Sequence, residues 1–169
     1  MVVGPSGPTL ERVSSTLLER VTFDAACAAR RTTHPQPPPV PGAFGDAELL
    51  DRLTRHDRGV VMAWSPHMPL SVDEHAEVQA AARALDLSVV LVLDPLADVA
   101  FARRVAIERG LPPGAAAPLA SIELAFRGMT THAPSFQLFA AGRLVGPVLY
   151  GYRDRASLAV ALTAILGAP

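Results

Sequence analysis

The stretch Val60-Val61-Met62-Ala63-Trp64-Ser65-Pro66-His67-Met68 decides how this chain is read. An apolar run that enters a tryptophan without polar interruption predicts a buried strand over Gly59 to Trp64. Beyond the tetrapeptide Ser65–Met68, Ser71-Val72-Asp73-Glu74 has the spacing of a capping box, with serine at the N-cap and glutamate three residues on. A helix from Ser71 to about Leu85 is therefore expected. Were the helix to begin at Ser65, Pro69 would fall inside it and cost a backbone hydrogen bond. Residues 65–70 are accordingly expected to be a loop.

Working outward, Asp46 is placed to cap a short helix through His56 that carries Leu49, Leu50 and Leu53. Downstream, Ser88 to Leu93 is an unbroken apolar run, the pattern of a parallel strand covered on both faces. Asp94-Pro95 offers an N-cap and a proline at N1 for a helix that Gly110 can end. A Pro-, Gly- and Ala-rich loop, Leu111 to Pro118, leads to a short element over Ser121 to Arg127. Ser135 to Ala140 and Arg143 to Leu149 flank Ala141-Gly142, a tight hairpin turn. Asp154 caps a last helix bearing Leu158, Leu162, Ile165 and Leu166, and Gly167 closes it. The order predicts an α/β domain with a central mixed sheet flanked by helices.

Ahead of this domain, residues 1–8 are rich in Gly and Pro and are expected to be disordered. Leu10, Val13, Leu17, Leu18 and Val21 recur at helical spacing, which predicts an N-terminal helix from Thr9 to about Ala29. Pro35-Gln36-Pro37-Pro38-Pro39-Val40-Pro41-Gly42 reads as a stiff spacer. The boundary falls there: residues 1–42 are helix and linker, and residues 43–169 are the domain.

Half of the 169 residues are hydrophobic, enough for a full core, and the net charge of −1 argues against a nucleic-acid or anionic-membrane surface. All 15 basic residues are arginine, scattered along the chain, a pattern of codon bias rather than of a clustered ligand site. The single cysteine, Cys27, excludes an intrachain disulfide and a cysteine-based metal cluster. The longest apolar run, Val89 to Leu93, is too short to span a bilayer, and no signal peptide is visible. A cytoplasmic protein is expected, with the periplasm as the alternative.

Two further segments give the chain a resemblance. Thr131-His132-Ala133-Pro134-Ser135-Phe136 precedes the hairpin, and Gly142-Arg143-Leu144-Val145-Gly146-Pro147 follows its turn. With the Trp64 segment, these make the chain resemble the thioredoxin-like superfamily over roughly residues 44–168, and the long central connection looks like its TlpA-like branch. The resemblance implies a thioredoxin-like fold in which Pro134 is the cis-proline and faces the loop after Trp64. In that family the loop is Cys-x-x-Cys; here it is Ser65-Pro66-His67-Met68. Only a thiolate attacks disulfides, so no dithiol oxidoreductase is expected.

What the family's fold leaves is a groove beside the proline loop that takes extended peptides through backbone hydrogen bonds. The candidate binding residues are thus Trp64, Ser65, Pro66, His67, Met68, His132, Ala133 and Pro134. The expected partner is a protein or extended peptide, as for a scaffold, chaperone-like or assembly factor, with no cofactor or bound metal. Trp64 is read first as a core-edge anchor and second as a groove wall. Two alternatives remain. His67, Met68 and His132, with Met129, form a soft donor set suited to copper(I); or Ser65 is a nucleophile with His67 or His132 as its base, although no Gly-x-Ser-x-Gly elbow supports it. Cys27 as a one-cysteine reductant ranks last.

Overall fold

The computed structural model describes residues 41–112 and 114–167, all within one compact unit. The expected N-terminal helix, most of the proline-rich linker and Cys27 lie outside the described residues. The elements run α1 (Asp46–Arg55), β1 (Arg58–Trp64), α2 (Pro69–Ala84), β2 (Ser88–Leu93), α3 (Val99–Glu108), α4 (Ile122–Phe126), β3 (Ser135–Ala140), β4 (Arg143–Tyr150) and α5 (Arg155–Leu166). The sheet has the order β2-β1-β3-β4. β1 pairs in parallel with β2 and antiparallel with β3, and β3 pairs antiparallel with β4. A mixed sheet flanked by helices is what the sequence pattern implies.

β1 explains the missing alternation. Val60, Met62 and Trp64 point into a core shared with α2, α3 and α5, while Val61 and Ala63 point into a second core with α1 and α4. A central strand covered on both faces needs apolar residues at every position. The connection from β2 to β3 is long. It carries α3, then an extended stretch in which Leu93 exchanges hydrogen bonds with Ala117 and Leu119, and Phe44 exchanges them with Pro118 and Ala120. In the hairpin, Ala141 and Gly142 both adopt positive φ (49° and 74°), the conformation that a two-residue turn between twisted strands requires.

Three helix starts differ from expectation, each where a tertiary contact holds the residue expected to cap. α2 begins at Pro69, not Ser71, with proline at the first helical positions where its missing N–H costs nothing. Ser71 Oγ instead accepts from the Ser65 amide at 3.1 Å, and Glu74 is buried against the β4–α5 connection. α3 begins at Val99, capped by Asp98, whose Oδ1 accepts from the Phe101 amide. Asp94 is still held to the sheet, its amide donating to the Trp64 carbonyl at 2.8 Å, so the chain has not yet turned away. α1 is capped at Gly45 through Glu48, while Asp46 receives the Ser121 hydroxyl and the Glu123 amide. Asp154 and Gly167 bound α5 as the sequence suggests.

Glu74 is the costliest of these substitutions of role. Its Oε1 accepts from the Arg153 amide at 2.7 Å, but Oε2 is buried without a partner, as is Arg153 Nε. Desolvation raises its carboxyl from 4.5 to about 7, opposed by the Arg153 amide and guanidinium and aided by Glu77. The folded protein therefore holds this proton where the unfolded chain has lost it. The stability contributed is complete below about pH 4.5 and is lost as pH rises through about 7. Glu74→Gln, which imitates the protonated acid, should match the parent in urea unfolding near pH 5 and exceed it by on the order of 2 kcal/mol near pH 8.5. Equal midpoints at the higher pH would show that Glu74 stays ionised at no cost.

Candidate functional site

Trp64 ends β1 inside the protein. It is 1% exposed, and its indole N–H donates to the Ala115 carbonyl at 2.7 Å, satisfying the one polar atom that burial would strand. The expectation that Trp64 walls a surface groove is thus corrected: the loop containing Ala115 covers it. Ser65 (3% exposed) and Pro66 are buried as well, pulled in by the Ser65 amide bond to Ser71 Oγ and closed by the Met68 amide bonding back to the Ser65 carbonyl at 3.2 Å. This tight turn, rather than the longer loop expected over residues 65–70, brings Met68 to the start of α2.

Opposite lies the segment before β3. The Ala133–Pro134 peptide bond is cis. The Thr131 amide and hydroxyl both donate to the Gly128 carbonyl, at 3.0 and 2.7 Å, and Ser135 Oγ donates to the Met129 carbonyl at 2.9 Å. Pro134 is buried, its carbonyl accepting from the Gly151 amide, so it supports the segment from beneath. The amides of His132 and Ala133 make no backbone hydrogen bond among the described residues. His132 is exposed and meets the Tyr150 ring edge to face, centroids 6.5 Å apart.

Between these segments is a hollow of 210 Å³, bounded by Met68, the turn Asp94–Leu96, and Met129 to Ala133. Of the residues proposed from sequence, the hollow gathers Met68, His132 and Ala133. It does not take in His67, which is exposed and stacks on Phe101 of α3 at 5.1 Å, with Arg104 over the same ring. The copper set is therefore divided, Met68, Met129 and His132 on the hollow and His67 on α3. No group of three or more His, Cys, Asp and Glu among the described residues is arranged to hold a metal ion. Among the described residues Ser65 makes no hydrogen bond to either histidine, its contacts running through its backbone to Ser71 and Met68.

Sequence reasoning missed the Asp94–Leu96 turn as part of the site because Asp94-Pro95 was assigned to a helix start. The signal was available: it follows a buried parallel strand, and crevices in such sheets open at the strands' carboxyl ends. Leu96 is 90% exposed and Met68 39%, so apolar side chains of the hollow's rim stand in water.

A β-α-β unit with parallel strands, joined to an antiparallel hairpin and a closing helix, with a cis-proline segment facing the N-terminus of α2, defines a thioredoxin-like α/β fold. No protein-family model matches the chain, and no curated protein matches it in sequence. Among solved structures it is similar to a thiol:disulfide interchange protein of the thioredoxin family from Chlorobium tepidum TLS, at 17% identity and TM-score 0.49, over 66% of this chain and 81% of that one. It is also similar to a secreted Mycobacterium tuberculosis disulfide oxidoreductase homologous to E. coli DsbE, at 15% identity and TM-score 0.46, over 64% and 82% of the two chains. Mitochondrial thioredoxin 3 from Saccharomyces cerevisiae aligns at 15% identity and TM-score 0.44, over 72% and 92%. No described helix is long and apolar enough to cross a membrane.

Trp64→Phe tests the corrected role of the tryptophan. Loss of the N–H leaves the buried Ala115 carbonyl unpaired, and the urea unfolding free energy should fall by about 1–3 kcal/mol. Binding of unfolded polypeptide should be unchanged. Lost binding at unchanged stability would return Trp64 to the groove.

Proposed function

We propose that residues 43–169 form a thioredoxin-like domain that binds extended polypeptide beside the cis-proline segment and carries out no dithiol chemistry. The observation that carries this reading is the hollow itself. Its rim presents Met68 and Leu96 as exposed apolar side chains, next to a segment with two backbone amides that lack backbone partners. Exposed apolar groups beside unpaired amides suit a chain that supplies main-chain acceptors and side chains together. Ser65 and Met68 stand where a dithiol pair would stand, and neither can cycle through a disulfide.

A second reading, copper(I) carriage, is supported by Met68, Met129 and His132 sharing the same hollow, since thioether and imidazole donors suit that ion. Titration with copper(I) under reducing conditions separates the two. Stoichiometric uptake lost in His132→Ala would favour the metal.

Insulin reduction with dithiothreitol should proceed no faster with this protein than with reductant alone, and Cys27→Ala should change nothing. Leu96→Ser should weaken binding of a reduced, carboxymethylated and permanently unfolded protein by about tenfold, the equivalent of withdrawing one leucine from an apolar contact. Its unfolding midpoint should be unchanged, because Leu96 buries almost nothing in the fold. Undiminished binding would remove the hollow from the reading.

A further inference from the structure

The hollow is not uniformly apolar. Asp94 stands in its wall, partly buried, where β2 ends. One carboxylate oxygen, Oδ1, accepts from the Leu96 amide at 3.0 Å. No other hydrogen bond and no ion pair to this carboxylate is formed among the described residues. The arginine–carboxylate pairs of the domain, Arg55–Asp51, Arg58–Asp86, Arg109–Asp73, Arg127–Glu123 and Arg155–Glu77, all lie elsewhere. No arginine lines the hollow. The carboxylate is thus drawn part-way out of water with one oxygen bonded and no cation to balance it.

Resting on the groove reading above, we infer that the hollow receives a basic side chain, arginine or lysine, from the bound polypeptide. Met68, Leu96 and Met129 provide the apolar walls that the aliphatic stem of such a side chain packs against, while its charged head reaches the free oxygen of Asp94. A hollow of 210 Å³ takes one long side chain and not two. The competing occupants are each disfavoured. A purely apolar side chain would finish the desolvation of Asp94 without supplying a donor, and an acidic one would meet a like charge. His132 is the other titratable group on the wall.

The test uses capped alanine-based heptapeptides that differ only in the central residue: arginine, lysine, norleucine or glutamate. Binding is followed by amide NMR shifts of the full chain near pH 8 and low ionic strength. The arginine and lysine peptides should bind about tenfold more tightly than the norleucine peptide, and the glutamate peptide most weakly. Shifts should centre on Met68, Asp94–Leu96 and Thr130–Ala133. In Asp94→Asn, which keeps an oxygen for the Leu96 amide while removing the charge, the arginine-to-norleucine ratio should fall to about one. Glu108→Gln, an equal charge change on exposed α3, should keep the tenfold ratio. If norleucine binds at the hollow as well as arginine does, or the preference survives Asp94→Asn, the inference is overturned and the groove stands. If no peptide shifts the hollow's amides, or basic peptides shift only residues elsewhere, the groove reading fails together with it.

Discussion

The site depends on how the end of β1 is tied down. At Trp64 the indole N–H is bonded to Ala115 and the carbonyl to the Asp94 amide, so one residue fastens the central strand to two parts of the β2–β3 connection. Both bonds are buried or nearly so, where an unmade partner costs more than a made one contributes. Their effect is positional. Asp94 cannot leave the sheet before its amide is satisfied, which delays α3 to Val99 and leaves Pro95 and Leu96 projecting as a turn. That turn is one wall of the hollow. The loop holding Ala115 meanwhile seals Trp64 from solvent and moves the accessible surface towards Met68.

The same competition between local and tertiary demands explains which features were legible in the sequence. β2 and β3 are recovered with the same residues, and β1 and β4 to within one, because burial on both faces and turn chemistry are written residue by residue. Ala141-Gly142 and the Asp154 cap are similarly local. The pairs that failed were caps whose side chains are claimed from far along the chain. Ser71 serves Ser65, Glu74 serves Arg153, and Asp46 serves Ser121 and Glu123, contacts that no local spacing encodes. Helix propensity and capping are weak energies, about 1 kcal/mol each, and a single buried polar group outweighs them.

The candidate site divides along the same line. Met68, His132 and Ala133 were identifiable because the resemblance placed their two segments face to face. His67 was drawn away by an aromatic neighbour on α3, and Phe101 is distant enough in sequence that nothing near His67 foretells it. Asp94 was visible as a residue and misread in role. Its neighbour Pro95 suits the first turn of a helix as well as it suits an exposed turn, and only the hydrogen bond to Trp64 decides between them.

Ser65 and Met68, at the two ends of the turn after β1, have unlike surroundings. Ser65 is buried, and its backbone closes the turn onto Ser71, a connection that survives any small side chain there. Met68 stands at the N-cap of α2 with its thioether in the wall of the hollow. A pair of cysteines must be close and exposed to exchange disulfides. Here Ser65 lies in the interior while Met68 is an exposed thioether, the kind of side chain that fits irregular partners. The turn after β1 thus contributes a single side chain, that of Met68, to the wall of the hollow.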